Sequence, residues 1–352
     1  MDLKKGMIDA TMKEIVMQKD YLAGEEIGTV YFGGGTPSLL GKDDLQRIIN
    51  SINSNYNLIP GTEITLEANP DDLDTQKLDD LKSIGINRLS IGIQSFQNDI
   101  LSFFNRAHNA EDAVKSIGAA RSAGFDNISI DLIYGVPGQH HEAWKAGIEE
   151  ALSFRPEHIS AYSLTIEERT VFGKWKESNR LTPMNDDQVA EQFEILVDAL
   201  TGKGYDHYEI SNFGLPGFHS MHNGSYWRGV KYLGVGPSAH SYDGISRQFN
   251  VANNAEYIRR ISLGKIPYER EVLTLENKVN EYFFIGLRTS VGCDLQYLQE
   301  EYDFHLSGEQ RNYVDELVKL GKMTFDGRML KLTNKGKLLA DKIASDLFVN
   351  PE

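Results

Sequence analysis

Five short runs of β-branched or apolar residues, separated by stretches with helical spacing, constrain the fold of this chain most. The runs cover residues 29–32, 64–66, 89–93, 128–133 and 159–164. Between them, acidic residues precede apolar residues spaced three and four apart, as Asp74 precedes Leu78 and Leu81. This alternation predicts a β–α repeat, which builds a parallel sheet that is either open or closed into a barrel.

Each predicted strand leads into a group that can take part in chemistry. These groups are Gly33, Gly34, Gly35 and Thr36 after the first run, and then Glu67, Gln94, Asp131 and Thr165. Because the carboxyl ends of parallel barrel strands lie on one face, the polar endings are expected to converge there. With Arg106 they offer carboxylate, amide and guanidinium groups for a zwitterion and ribose hydroxyls. The alternative is a salt-bridge network between strand ends, which the spacing alone favours.

Chain length and pattern predict three regions. About five β–α units fit before residue 170, fewer than the eight of a closed barrel, so residues 1–170 are expected to form a partial β/α barrel. Residues 171–270 form a barrel extension with a helix over 187–203. Residues 271–352 form a separate unit with helices over 276–288, 295–302, 308–320 and 335–348. A hairpin turn at Asp326 and Gly327 makes this last unit winged-helix-like.

Charge and cysteine content exclude several functional classes. The net charge of −15 opposes the neutralisation of phosphates on which nucleic-acid binding depends. No apolar run approaches the roughly 20 residues of a membrane helix, and the first residues lack the parts of a signal peptide. A single cysteine, Cys293, is interpreted as a structural residue before a helix. Together these features predict a cytoplasmic protein without a membrane span.

The segment from Tyr205 to His240 is unusually rich in histidine. It holds four of the nine histidines, namely His207, His219, His222 and His240. His219 and His222 would share one face of a helix, yet no further ligand accompanies them at a known zinc spacing. Alternatively, His222 provides an imidazole for iron while Tyr226 and Trp227 flank a flat macrocycle. Packing of the aromatic rings on the barrel is the simpler interpretation from chemistry alone.

Five strings together resemble a known family. They are YFGGGTPS (31–38), EANP (67–70), RLSIGIQSF (88–96), DLIYGVPG (131–138) and YLGVGPSAHS (232–241). In order and spacing they resemble the oxygen-independent coproporphyrinogen III oxidase-like branch of the radical S-adenosylmethionine (SAM) superfamily. Within this branch, the string HNGSYW (222–227) is similar to the hallmark of the HemW-type heme chaperones.

The resemblance implies a fold, two ligands and their sites. The fold is a partial (β/α)6 radical-SAM-type barrel, incomplete in its first unit, with a small helical C-terminal domain. The residues implied for SAM are Gly34, Gly35, Thr36, Glu67, Gln94, Arg106 and Asp131. Those implied for heme are His222, as the iron ligand, with Tyr226 and Trp227. Unidentified heme-accepting proteins are the implied partners, and peripheral membrane contact stays open.

One departure from the family pattern concerns its [4Fe–4S] cluster. The family binds the cluster through a Cys-x3-Cys-x2-Cys loop upstream of the Gly-rich string, whereas the one cysteine here is Cys293. Two explanations are open, namely a start downstream of that loop and a natural relative without a cluster. We expect the loop upstream of Met1, within about thirty codons as the resemblance implies, and no radical chemistry from these residues alone. The predicted function is that of a heme chaperone. The alternatives are an oxygen-independent coproporphyrinogen III oxidase (dehydrogenase) and a catalytically inactive scaffold.

Overall fold

A seven-stranded sheet forms the centre of the computed structural model, which describes residues 3–349. Its strands are β1 (Glu26–Phe32), β2 (Asn57–Ala68), β3 (Arg88–Gln94), β4 (Ile128–Tyr134), β5 (His158–Ser163), β6 (Asp206–Glu209) and β7 (Asn212–Gly214). They lie in the order β1-β2-β3-β4-β5-β7-β6. The first five run parallel, whereas β7 is antiparallel to both β5 and β6. The predicted β–α repeat is thereby confirmed.

Helices cover one face of this sheet. The α-helices in this part of the chain are α1 (Leu3–Met17), α2 (Lys42–Asn55), α3 (Thr75–Ser83), α4 (Asn98–Phe103), α5 (Ala110–Ser122), α6 (His141–Ser153), α7 (Val171–Glu177) and α8 (Asp186–Thr201). The carboxylate of Asp74 accepts from the backbone N–H of Lys77 and so begins α3, as the sequence predicts. Leucines and isoleucines of α2, α3, α5, α6 and α8 share one buried cluster with the sheet. The opposite face of the sheet is left to polar residues.

Strand β2 is much longer than the three-residue run that predicted it. Its first part pairs with Glu26 and Ile27 before the register shifts between Ile27 and Thr29. Pro60 and Gly61 lie in this part and are exposed, and Gly61 has a φ of +83°. Because these residues bury little apolar surface, hydrophobicity gave no signal for them.

A second sheet lies beyond the main one. It contains β8 (His240–Tyr242), β9 (Ser246–Asn250) and β10 (Tyr268–Val272), all antiparallel, with α9 (Met221–Trp227) before it and α10 (Asn254–Ser262) after β9. Helix α1 packs against α10, and Ala10 of α1 lies in one buried cluster with Tyr257 and Ile261. The N-terminal helix therefore joins the main sheet to this second sheet.

The C-terminal part has a hydrophobic core of its own. Its elements are α11 (Leu275–Gly286), β11 (Cys293–Asp294), α12 (Leu295–Tyr302), α13 (Gly308–Lys319), β12 (Met323–Phe325), β13 (Met329–Leu332), α14 (Asn334–Lys337) and α15 (Ala340–Asp346). The predicted hairpin at Asp326 and Gly327 joins β12 to β13, and β11 completes a three-stranded sheet. Helices around such a sheet fit the winged-helix-like description.

The single helix predicted over residues 335–348 is wrong, because the chain forms two helices there. Gly336 of α14 lies so close to Lys322 that an added Cβ would meet its carbonyl oxygen at 1.9 Å. This contact fixes α14 on the hairpin, whereas α15 packs against α11, so the chain turns at Leu338 and Leu339. The predicted three-region division stays a prediction, and residues 1–2 and 350–352 at its ends lie outside the described residues.

None of the helices formed by residues 3–349 is both long enough and apolar enough to cross a membrane.

Candidate functional site

Polar groups from β1, β2 and the Gly-rich segment meet at the carboxyl end of the main sheet. The carboxylate of Glu67 accepts from the Tyr31 hydroxyl at 2.8 Å and from the backbone N–H of Gly34 at 3.3 Å. A Cβ on Gly33 would lie 2.5 Å from the Tyr31 ring and 2.8 Å from Glu67 Oε1. A side chain at position 33 would therefore have to displace Tyr31 and Glu67 from each other, which favours glycine there.

A second group of polar side chains lies over β3. Arg106 donates to Asn69 Oδ1 at 3.0 Å and to the carbonyl oxygen of Gly92 at 3.2 Å. A Cβ on Gly92 would meet Gln94 Nε2 at 2.9 Å and Arg106 Nη2 at 3.2 Å. Gln94 itself has a φ of +65°, which is uncommon for a residue other than glycine. Gln94 and Arg106 are thus brought together, as the sequence predicts.

Asp131 projects from the middle of β4 rather than from its end. It accepts from the Ser90 hydroxyl at 3.4 Å. Burial raises the pKa of Asp131 to about 6, and the nearby charge of Glu67 adds to this rise, while Arg88 and two serine hydroxyls oppose it. A carboxyl group with a pKa this close to neutrality is a mark of a functional site. Glu67 therefore lies near both Gly34 and Asp131, and Gln94 lies near Arg106. Within residues 3–349, no side-chain hydrogen bond joins Gly35 or Thr36 to these groups.

Toward the amino ends of the strands, the face of the sheet that the helices leave uncovered is also polar. Along β2 and β3, alternate residues turn away from the helix-covered core, namely Glu63, Thr65, Glu67, Arg88 and Ser90. On β4 and β5, Ser129 Oγ and His158 Nδ1 lie 2.8 Å apart, and His158 Nε2 lies 2.7 Å from the Tyr208 hydroxyl. Burial lowers the pKa of His158 well below its usual value, so this imidazole is neutral. We call this polar inner surface the lumen.

His222 lies at the edge of the lumen, on α9. Its Nδ1 is 3.1 Å from the hydroxyl of Thr29, and its ring stacks on Tyr31 with a centroid distance of 4.5 Å. Within residues 3–349, no hydrogen bond engages its Nε2. Burial lowers the pKa of His222 to about 4, helped by the charge of Arg88. The imidazole is therefore neutral at pH 7, with one nitrogen held and the other able to bind a metal.

Helix α9 is positioned by two caps. The Ser220 hydroxyl accepts from the backbone N–H of Asn223 at 3.2 Å. The buried carboxylate of Glu63 accepts from the backbone N–H groups of Met221 and His222 at 3.2 and 3.0 Å. These contacts fix the start of α9 against β1 and β2. They therefore fix the side chain of His222 as well.

The two predicted aromatic neighbours of His222, Tyr226 and Trp227, differ in their surroundings. The ring of Tyr226 meets that of His222 edge-on at 5.0 Å, as expected for residues four apart on a helix. Tyr226 is 37% exposed, so part of its ring faces solvent. Trp227 turns inward, and its Nε1 is buried without a hydrogen-bond partner in the described part of the chain. Tyr226 therefore contacts the imidazole ring and also reaches solvent.

The three other histidines of this region do not join His222. His219 precedes α9, which begins at Met221, so the predicted pairing of two histidines on one helical face is wrong. Its Nε2 lies 3.0 Å from a carboxylate oxygen of Asp206. His207 is held between the carbonyl oxygen of Ile210 and the amine of Lys337. His240 lies on β8 against Phe249.

Within residues 3–349, no group of three or more potential metal-binding side chains lies close enough together to hold an ion. The chain's one cysteine, Cys293, is completely buried in the C-terminal core, and burial raises the pKa of its thiol. An iron–sulfur cluster needs several thiolates, so these residues do not fit one. The groups that remain for binding SAM or heme are therefore oxygen atoms and imidazoles.

Sequence reasoning missed Thr29, Tyr31, Glu63, Thr65 and Arg88. They lie on strands that were recognised by their apolar residues alone. A signal was present, since polar residues recur at every second position of β2 and β3, which marks the lumen side of a buried strand.

The comparisons with known proteins agree with this architecture. The model of the radical SAM superfamily matches residues 4–151. Coproporphyrinogen III oxidase (HemN) from Escherichia coli, a radical SAM enzyme, has a similar structure with a TM-score of 0.84. The alignment covers 99% of this chain and 84% of that one, and at 23% identity it shows the fold alone. The chain thus has the fold of a radical SAM protein.

Sequence relatives identify the family. The chain is 37% identical to the heme chaperone HemW of Bacillus subtilis (strain 168), over 90% of this chain and 84% of that protein. It is 33% identical to the heme chaperone HemW of Lactococcus lactis subsp. lactis (strain IL1403), over 96% and 88% respectively. The chain belongs to the HemW family of heme chaperones, which confirms the resemblance drawn from its motifs.

Proposed function

We propose that this chain is a heme chaperone that binds heme iron through Nε2 of His222 and passes the heme to acceptor proteins. The observation that carries this proposal is the state of the imidazole. Nδ1 is held by Thr29, Nε2 has no partner in residues 3–349, and the low pKa keeps the ring neutral. Neutral imidazole is the form that binds iron, and a contact at the second nitrogen orients such a ligand.

The surroundings of His222 suit a ligand that must be released again. Helix α9 buries none of its residues completely. On this helix and just after it, Met221, Tyr226 and Val230 are 45%, 37% and 43% exposed. They offer apolar surface for one face of a porphyrin. A heme bound here would keep its outer edge in solvent, where an acceptor protein can reach it. The acceptor proteins are unidentified.

For SAM, we propose the surface from the Gly-rich segment to β4. Backbone groups of Gly34 and Gly35 and the Thr36 hydroxyl would hold the methionine end. Side chains complete this pocket, namely Glu67, Gln94, Arg106 and Asp131. In radical SAM proteins, SAM is a source of the 5′-deoxyadenosyl radical when an iron–sulfur cluster reduces it. Because these residues supply no thiolate set for a cluster, we assign them the binding of SAM and no radical step.

The affinity for SAM is expected to rise about tenfold between pH 5 and pH 7.5. With a pKa of about 6, Asp131 is mostly protonated at pH 5 and ionised at pH 7.5. Only the ionised carboxylate accepts hydrogen bonds from ribose hydroxyls through both oxygens. Titration calorimetry across this range measures the rise, and Asp131→Asn is expected to show a weak, flat profile. The same pH dependence in Asp131→Asn would contradict the role of Asp131.

The proposed function predicts one transferable heme per chain. Titration with hemin is expected to shift the Soret band with an end point at one equivalent, because the proposed site offers one iron ligand, the neutral and unengaged Nε2 of His222. Mixing the loaded protein with excess apomyoglobin should then give the Soret band of myoglobin. A hemin spectrum that does not change when the chain is added would contradict heme binding. Heme that apomyoglobin cannot remove would contradict the chaperone function.

A further inference from the structure

Arg88 is a buried cation without a hydrogen-bonded partner. It is the first residue of β3 and is 2% exposed, and its side chain faces the lumen because Leu89 and Ile91 face the core. Its Nε is buried and unpartnered, and among residues 3–349 no acceptor takes a hydrogen bond from its guanidinium. A buried guanidinium is costly unless an acceptor or an anion meets it.

Glu63 forms an ion pair with Arg88 that balances its charge but satisfies none of its hydrogen-bond donors. Its carboxylate lies 4.0 Å from Arg88 Nε, beyond hydrogen-bond distance. Both of its oxygens already accept backbone N–H groups at the start of α9, from Met221 and from His222. Glu63 therefore caps α9, and the N–H groups of Arg88 remain available to an acceptor on a ligand.

A second unpartnered donor lies beside Arg88. Thr65 is the direct neighbour of Arg88 in the register of β2 and β3, and it is completely buried. Its hydroxyl also has no hydrogen-bond partner in the described part of the chain. A guanidinium next to a hydroxyl is a donor set for an oxyanion, and a carboxylate fits the planar guanidinium with two parallel hydrogen bonds.

The position of these donors relative to His222 indicates which anion they serve. Tyr31, Thr65 and Arg88 follow one another across β1, β2 and β3. The ring of His222 stacks on Tyr31 at the start of this row. Neighbouring strands are ~4.8 Å apart, so Arg88 lies roughly 10 Å across the sheet from Tyr31. Heme carries its carboxylates on one edge of the ring, away from the iron.

We propose that Arg88 and Thr65 form a binding site for a propionate carboxylate of the heme whose iron His222 holds. This inference rests on the proposed function, because it takes heme as the ligand of His222. The site would orient the porphyrin with its acidic edge toward the lumen and its apolar edge toward solvent. It would thereby favour porphyrins with free carboxylates over neutral ones.

The test compares hemin with hemin dimethyl ester, which has the same iron and ring but no carboxylates. Soret titrations of the unmodified chain are expected to give a Kd for hemin at least tenfold lower than for the ester. In Arg88→Met this ratio should fall to about one, with hemin losing affinity and the ester unchanged. Thr65→Val should lower the ratio by a smaller factor, and Arg88→Lys should keep part of it.

Arg155→Met is the matched control, because Arg155 is an exposed arginine that is not part of the lumen, and the ratio should not change. Equal affinity of the unmodified chain for both porphyrins would overturn the inference while leaving the ligation by His222 standing. An unchanged ratio in Arg88→Met would also overturn it. If neither porphyrin binds the unmodified chain, the proposed function fails and this inference fails with it. Circular dichroism checks that each variant is folded. If Arg88→Met is unfolded, the test compares the Kd ratio of the two porphyrins in the unmodified chain with the ratio in Arg88→Lys.

Discussion

Glu14→Ala is expected to lower the free energy of unfolding by about 4 kcal/mol, which corresponds to a fall in Tm on the order of 10 °C. Glu14 is completely buried on α1, and its carboxylate accepts four hydrogen bonds. The donors are Gln18 Nε2, Asn250 Nδ2, the backbone N–H of Gly236 and the Tyr257 hydroxyl. Alanine would take the carboxylate away from four buried donors, of which Asn250 Nδ2 keeps a second acceptor in the carbonyl oxygen of Gly236. The loss therefore exceeds that of an ordinary hydrogen bond.

Thermal unfolding followed by circular dichroism measures this effect, and Glu25→Ala is its control. Glu25 is an exposed acidic residue whose partner is Lys231 on the surface, and an exposed pair contributes less than about 1 kcal/mol. Equal shifts in Tm for the two variants would contradict the account of Glu14.

The same contacts explain part of the string over residues 232–241. Gly236 donates to Glu14 with a φ of +112°. A Cβ on Gly234 would lie 2.1 Å from the carbonyl oxygen of His240. Both glycines are therefore required by the path of the backbone and by close packing. This string joins α1 to the second sheet, and its glycines need no ligand to account for them.

His222→Ala is expected to raise the Kd for heme by more than about 100-fold. The substitution removes the proposed iron ligand itself, whereas loss of an outer contact to a metal ligand alone typically costs 10- to 100-fold. Thr29→Val, which removes just the partner of Nδ1, should fall between the unmodified chain and His222→Ala. Soret titrations measure all three values.

His219→Ala is the matched control for His222→Ala. The two histidines are three residues apart, but His219 contacts Asp206 and stacks on Tyr208 instead of facing the lumen. Its replacement should leave the Kd for heme within about a factor of two. A greater loss of affinity in His219→Ala than in His222→Ala would transfer the ligand role to His219.

Much of the fold could be predicted because the parallel strands are rich in buried β-branched residues. Glu67 and Asp131 were expected to converge because the carboxyl ends of parallel strands lie on one face. The structure shows the electrostatic consequence of this approach in the raised pKa of Asp131. The second sheet was not predicted, because its strands alternate polar with apolar residues over only three to five positions.

The least predictable part was the lumen. The binding site proposed for Thr65 and Arg88 depends on their being neighbours. The register of β2 and β3 that makes them neighbours is set by tertiary structure. The exact start of α9 decided between His219 and His222. That start depends on Ser220 and on Glu63, which is 157 residues earlier than Ser220 in the chain. Local sequence patterns cannot predict contacts between residues so far apart in the chain.

The most direct test of heme ligation by His222 is the rescue of His222→Gly with free imidazole. The spectrum of the heme-loaded variant should differ from that of the unmodified chain, because the imidazole ligand is missing. Added imidazole should occupy the space beside Thr29 and Tyr31 and restore the original Soret and visible bands. His222→Gly that shows the original heme spectrum without added imidazole would contradict the account, because another residue would then hold the iron.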